Sequence, residues 1–174
     1  MKLNKSVLVA VVALGMASMA NADQGHGKVT FTGSIIDAPC SILPDSIDQT
    51  VNLGQIANST LKDGGTSTPS NFTVGLENCS FSTPDAKNKV ALTFTGIESV
   101  AQKGRLGITG TAAGASIVIT DGSGQLITLG QATKTLQNGK NTLNFAAYLQ
   151  GDGKDAVITE GDFQSVADFT LAYN

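Results

Sequence analysis

Histidine, basic charge and long apolar runs are scarce in this chain of 174 residues, and each shortage removes a class of function. The single histidine, His26, lies in a loose Gly25-His26-Gly27 stretch. Nothing rigid there could hold an imidazole within reach of a nucleophile, so a catalytic triad is not expected. Charged residues make up only 14% of the chain, and 14 acidic side chains outnumber 11 basic ones. No basic patch is available to neutralise phosphates, which excludes nucleic acid as a partner and argues against an anionic membrane. Two cysteines and one histidine cannot furnish the four ligands of a tetrahedral zinc site. No phosphate-binding Gly-x4-Gly-Lys-Ser/Thr loop or Gly-x-Gly-x-x-Gly turn follows a strand. Internal repeats, heptads and low-complexity segments are also missing.

Acidic residues are the remaining candidates for chemistry. Asp152, Asp155, Glu160 and Asp162 cluster in sequence, but carboxylates in a Gly- and Lys-containing loop read as solvated charges without a walled cleft around them. Asp121, Asp152 and Asp155 belong to no loop with alternating oxygen ligands and a terminal Glu, so they read as turn formers rather than calcium ligands. The triplets at Asn58, Asn71 and Asn78 match the glycosylation pattern, which arises often by chance in such chains. No enzyme activity, metal or cofactor is expected.

The one long apolar run that is present stands at the start. Lys2 and Lys5 precede it, and it closes at Ala20-Asn21-Ala22, a small-x-small cleavage site. Residues 1–22 therefore read as a secretory signal peptide, too short in its apolar part to span a bilayer. Removing Lys2 and Lys5 with it leaves 9 basic against 14 acidic side chains, a net charge of −5. The rest is of single-domain size. In an oxidising compartment Cys40 and Cys79 are expected to pair. Closing a loop of about 40 residues would stabilise the fold by about 4 kcal/mol in the chain-entropy account.

Strand patterning recurs at residues 29–36, 51–56, 72–76, 90–94, 115–120, 126–129, 143–150 and 163–173. Turn signals separate these runs. Asp121-Gly122-Ser123-Gly124 reads as a hairpin, Asn138-Gly139 introduces the strand near Leu143, and Gly151-Asp152-Gly153 follows it. About eight short strands with Gly-rich turns predict an all-β, two-sheet sandwich. A short helix fits at residues 59–62 or near Leu136.

The two end segments look unfinished. In the last run Phe163, Ala167, Phe169, Leu171 and Tyr173 share one face, and no closing strand follows. A strand left so would be a long apolar edge, which monomers avoid, so an incoming strand from another chain is expected to cover it. Near the other end, Val29, Phe31, Gly33 and Ile35 lie on one face of a second alternating run.

Gly161 lies fourteenth from the end, Tyr173 is penultimate, and alternating hydrophobics stand between them. In this the sequence resembles pilin subunits of chaperone-usher fimbriae. The run from Gly27 through Ala38-Pro39-Cys40-Ser41-Ile42 is similar to the start of major pilins of the P-pilus and type 1 group. Asp48-Gln49-Thr50-Val51-Asn52-Leu53-Gly54-Gln55, Leu76-Glu77-Asn78-Cys79 and Asn144-Phe145 match in the same order.

The resemblance implies an incomplete immunoglobulin-like sandwich, the six-stranded pilin fold, completed by a donor strand from a neighbouring subunit or a chaperone. It divides the chain into a signal peptide (1–22), a donor-strand extension (23–34) and a pilin domain (35–174). Gly27, Val29, Phe31 and Gly33 would be the donor's groove-facing set. Gly161, Phe163, Ala167, Phe169, Leu171 and Tyr173 would form the acceptor groove and chaperone-binding strand. The partners implied are further pilin subunits in a homopolymer, a periplasmic chaperone and an outer-membrane usher. The subunit would cross the periplasm and end in an extracellular adhesive fimbrium, supporting cell adhesion. A minor subunit, or a tip-associated adhesin binding host glycans, is the alternative.

Overall fold

The computed structural model describes residues 27–81, 89–130 and 134–173, the last of these without the side chains of Lys134 and Thr135. The expected signal peptide and residues 23–26 of the donor extension lie outside the described residues. Contacts divide the chain into two units, Met1–Ile35 and Ile36–Asn174. In the first, residues 27–35 are exposed and belong to no ladder. In particular, Val29, Phe31 and Ile35 are exposed.

The second unit is built from strands β1 (Ser41–Ile42), β2 (Ser70–Cys79), β3 (Lys89–Gly96), β4 (Leu106–Gly107), β5 (Thr109–Gly110), β6 (Ala115–Asp121), β7 (Lys134–Thr135), β8 (Gly139–Gly151), β9 (Phe163–Gln164) and β10 (Ala167–Tyr173). One sheet has the order β1-β2-β8-β6-β4, a second β10-β3-β7, and β5 pairs with β9. Every pairing is antiparallel.

Alternation fixes which residues meet between the sheets. Leu143, Phe145, Ala147 and Leu149 of β8 point inward, as do Val90, Leu92 and Phe94 of β3. Ring centroids of Phe94 and Phe145 are 5.2 Å apart, edge to face, and Phe72 stacks on Phe145 at 5.4 Å. The Cys40–Cys79 disulfide is present and ties the start of the unit to the end of β2.

Three expected strands take other forms. Residues 51–56 make no ladder, because Gly54 has φ +74° and its N–H bonds the Asn52 side chain at 2.8 Å, a turn that breaks the alternation. Residues 126–129 form one bridge, Thr120↔Leu126, and then divide their main-chain bonds: Ile127 N–H goes to Ile119, Leu129 N–H to Gly104. Residues 29–36 belong to no strand among the described residues. The helix expected at 59–62 is α2 (Asn58–Leu61), whereas Leu136 is a buried residue outside any helix. The sequence reading missed α1 (Pro44–Ile47), which begins on Pro44 at a position where a missing N–H costs nothing. Among the described residues no helix is long and apolar enough to cross a membrane.

Candidate functional site: an apolar groove beside an unpaired edge

β10 pairs with β3 through seven residue pairs, from Ala167↔Gly96 to Tyr173↔Val90. Its other edge has no partner among the described residues. Beside it the sandwich is open, leaving a groove of about 1410 Å³. The floor is core: Phe72, Val74, Phe94, Ile117, Ile119 and Leu149 all reach it. Phe169 of β10 meets Phe94 edge to face at 6.4 Å, so the aromatic cluster of the core continues into the groove wall.

Each wall is held by side-chain bonds to main chain. Residues 47–58 make one wall. Gln49 Nε2 donates to the carbonyl oxygens of Thr73 (2.9 Å) and Ser46 (3.2 Å), and Ser70 Oγ donates to that of Asn52 (3.1 Å). The opposite wall runs through residues 160–169. Asp162 N–H donates to Thr111 Oγ1 at 3.0 Å, and Thr111 and Ala112 N–H both return to the Asp162 carbonyl. Asn58 Nδ2 donates to Glu160 Oε1 at 3.0 Å, linking the two walls.

Of the expected acceptor residues, Gly161, Phe163, Ala167 and Phe169 line the groove. Leu171 and Tyr173 continue the same face of β10 opposite Leu92 and Val90, half-buried against the core and beyond the groove's lining. Burial pushes the Tyr173 hydroxyl pKa above its ordinary value. Gly161 has φ +148°, and a Cβ there would strike the Thr111 side chain and stand 2.9 Å from Ala112 N. Its value is therefore to let the wall lie close to residues 111–112. Gly27, Val29, Phe31 and Gly33 belong to the other unit, where they are exposed.

Sequence reading missed the 47–58 wall, taking residues 51–56 as a strand. The signal was Gly54 within the alternation. The carboxylates considered for catalysis do not converge: Asp152 accepts from Ser116 Oγ, and Glu160 from Asn58.

Residues 29–174 match the family model described as Fimbrial protein. The chain belongs to this fimbrial family. It is 60% identical to the Fimbria A protein of Serratia marcescens, over 99% of each chain, and 51% identical to the Major MR/P fimbria protein of Proteus mirabilis (strain HI4320), again over 99% of each. A subunit in the solved structure of a chaperone-usher pilus superposes with TM-score 0.76 at 35% identity, covering 87% of this chain and 97% of that one. The P pilus rod subunit PapA gives TM-score 0.69 at 34% identity, covering 79% and 100%. The fold is thus the incomplete immunoglobulin-like sandwich of pilus subunits, and the chain is a structural fimbrial subunit of the bacterial surface. The family is one of structural pilins rather than of enzymes.

Proposed function

We propose that this fimbrial subunit polymerises by donor-strand exchange, residues 23–34 of one copy filling the groove of the next. The carrying observation is the unpaired edge of β10 beside a groove floored by the aromatic core. An incoming strand removes two costs at once. It pairs the free main-chain groups of β10, and it takes apolar floor out of water. Burial of Val29 and Phe31 contributes about 1.5–3 kcal/mol each. Alternation then places Lys28, Thr30 and Thr32 away from the groove.

The remaining parts follow from the same need. Residues 1–22 direct export, and 35–174 form the pilin domain. A periplasmic chaperone covers the groove until an outer-membrane usher brings the next donor. Val29 and Phe31 with Gly27 and Gly33 face the acceptor, where Leu171 and Tyr173 extend the strand that the chaperone also reads. The subunit is not an enzyme; it supports adhesion by building the shaft.

Electron microscopy of cells carrying the locus with and without this chain tests the reading. Loss of the shaft supports a major subunit. A shaft that persists and lacks only its tip would replace this reading with a tip adhesin.

A further inference from the structure

The extension and the edge strand carry one charge each. From Gly27 to Ile35 the only charged side chain is Lys28, and from Phe163 to Tyr173 the only one is Asp168. Both are exposed, and Asp168 has no ion-pair partner among the described residues. Along the groove wall Phe163, Ser165, Ala167 and Phe169 are half-buried, while Gln164, Val166 and Asp168 between them are exposed. Asp168 therefore stands on the outer face, and Lys28 does the same on a donor whose odd-numbered residues enter the groove.

Side-chain size supplies a second, independent pattern. From 163 to 169 the half-buried wall residues run large, small, small, large, and the donor set Gly27, Val29, Phe31 and Gly33 runs small, large, large, small. Facing positions pack best when a large side chain meets a small one. Two alignments satisfy this at every rung. The antiparallel one sets Gly33 beside Phe163, Phe31 beside Ser165, Val29 beside Ala167 and Gly27 beside Phe169. It also brings Ile35 to Gly161 and, on the outer face, Lys28 beside Asp168. The parallel one crowds Ile35 against Leu171 and leaves Lys28 beside the uncharged Gln164. Sliding the antiparallel strand by two residues sets Phe31 against Phe163 one way and Val29 against Phe169 the other. Charge and size thus select one alignment. We propose that the extension of one copy lies antiparallel to the edge strand of the next with Lys28 beside Asp168, an outer-face ion pair that fixes the register of the apolar rungs. The proposal rests on donor-strand exchange and adds to it the alignment of the two strands.

The test uses fibres assembled from the full chain with pairs of outer-face cysteines, oxidised after assembly and run on non-reducing denaturing gels. Lys28→Cys with Asp168→Cys should yield a ladder of covalently joined subunits. Lys28→Cys with Val166→Cys or with Thr170→Cys should not, because diagonal positions lie about 7–8 Å apart, beyond disulfide reach. A ladder from either diagonal pair instead would overturn the register. One from Lys28→Cys with Gln164→Cys would overturn the direction, and no ladder from any pair would overturn the placement altogether. Charge reversal tests the ion pair itself. Fibres of Lys28→Asp should dissociate about two- to fivefold faster in warm urea at low salt, the range for an exposed pair. Adding Asp168→Lys should restore the original lifetime, and a double variant as short-lived as the single one would overturn the pairing. Failure of donor-strand exchange itself would show differently, as assembly that persists after residues 23–33 are deleted.

Discussion

Under the proposed donor-strand exchange Gly33→Asn should separate folding from assembly, because the two processes would place this residue in different surroundings. Within the chain a Cβ built at Gly33 meets open space, and its φ lies outside the left-handed region. The substitution should therefore leave folding, disulfide formation and capture by the chaperone unchanged. Under the proposed donor-strand exchange the same side chain would have to enter the neighbour's groove. Forcing extra heavy atoms into a filled core costs about 1–3 kcal/mol. Burying an amide without partners adds about 1–3 kcal/mol. Together these reach about 2–6 kcal/mol, comparable with what Val29 and Phe31 contribute on burial. The corresponding loss in donor affinity is about 30-fold to 10⁴-fold. The assay is polymer growth from purified chaperone-bound subunits, followed on unheated detergent gels, with circular dichroism as the folding control. The variant should remain a chaperone-bound monomer. Normal filaments at the normal rate would refute the placement of Gly33 in the groove.

Three further outcomes follow from the geometry. Cys40→Ser with Cys79→Ser opens a cross-link spanning 39 residues and should lower unfolding free energy by about 4 kcal/mol, read from urea titrations. Gly161→Ala introduces a Cβ against Thr111 and Ala112 at a positive φ, which should cost about 1–3 kcal/mol and lower the melting temperature by several degrees. Glu98 has its pKa held below the ordinary value of 4.5, first by the Gly104 N–H and then by Lys103, so the stabilisation it gives is complete above that value. It is lost as pH falls through the folded-state pKa, and Glu98→Gln should flatten the acid limb of a melting-temperature profile.

The core strands were legible because period-two alternation and the two-sheet core demand the same residues. Phe72, Phe94 and Phe145 stood on predicted strands and meet in the aromatic cluster. Phe163, Ala167 and Phe169 could be placed on one apolar face for the same reason, while the groove beside that face was implied by the resemblance to pilins. Residues 51–56 misled because Val51, Leu53 and Ile56 are half-buried, as in a strand, yet the backbone turns at Gly54. Residues 126–129 alternate less than they bridge, which depends on partners distant in sequence at Ile119 and Gly104.

The measurement closest to the central claim is assembly of the chain lacking residues 23–33. If one subunit's extension completes the next subunit's sandwich, this truncated chain should fold on the chaperone, accept one donor and add nothing further. Micrographs and unheated gels should then show chaperone-bound monomers alone and, when full-length subunits are added, fibres that carry the truncated chain only as the terminal subunit that accepts a donor. Long fibres from the truncated chain by itself would contradict the account.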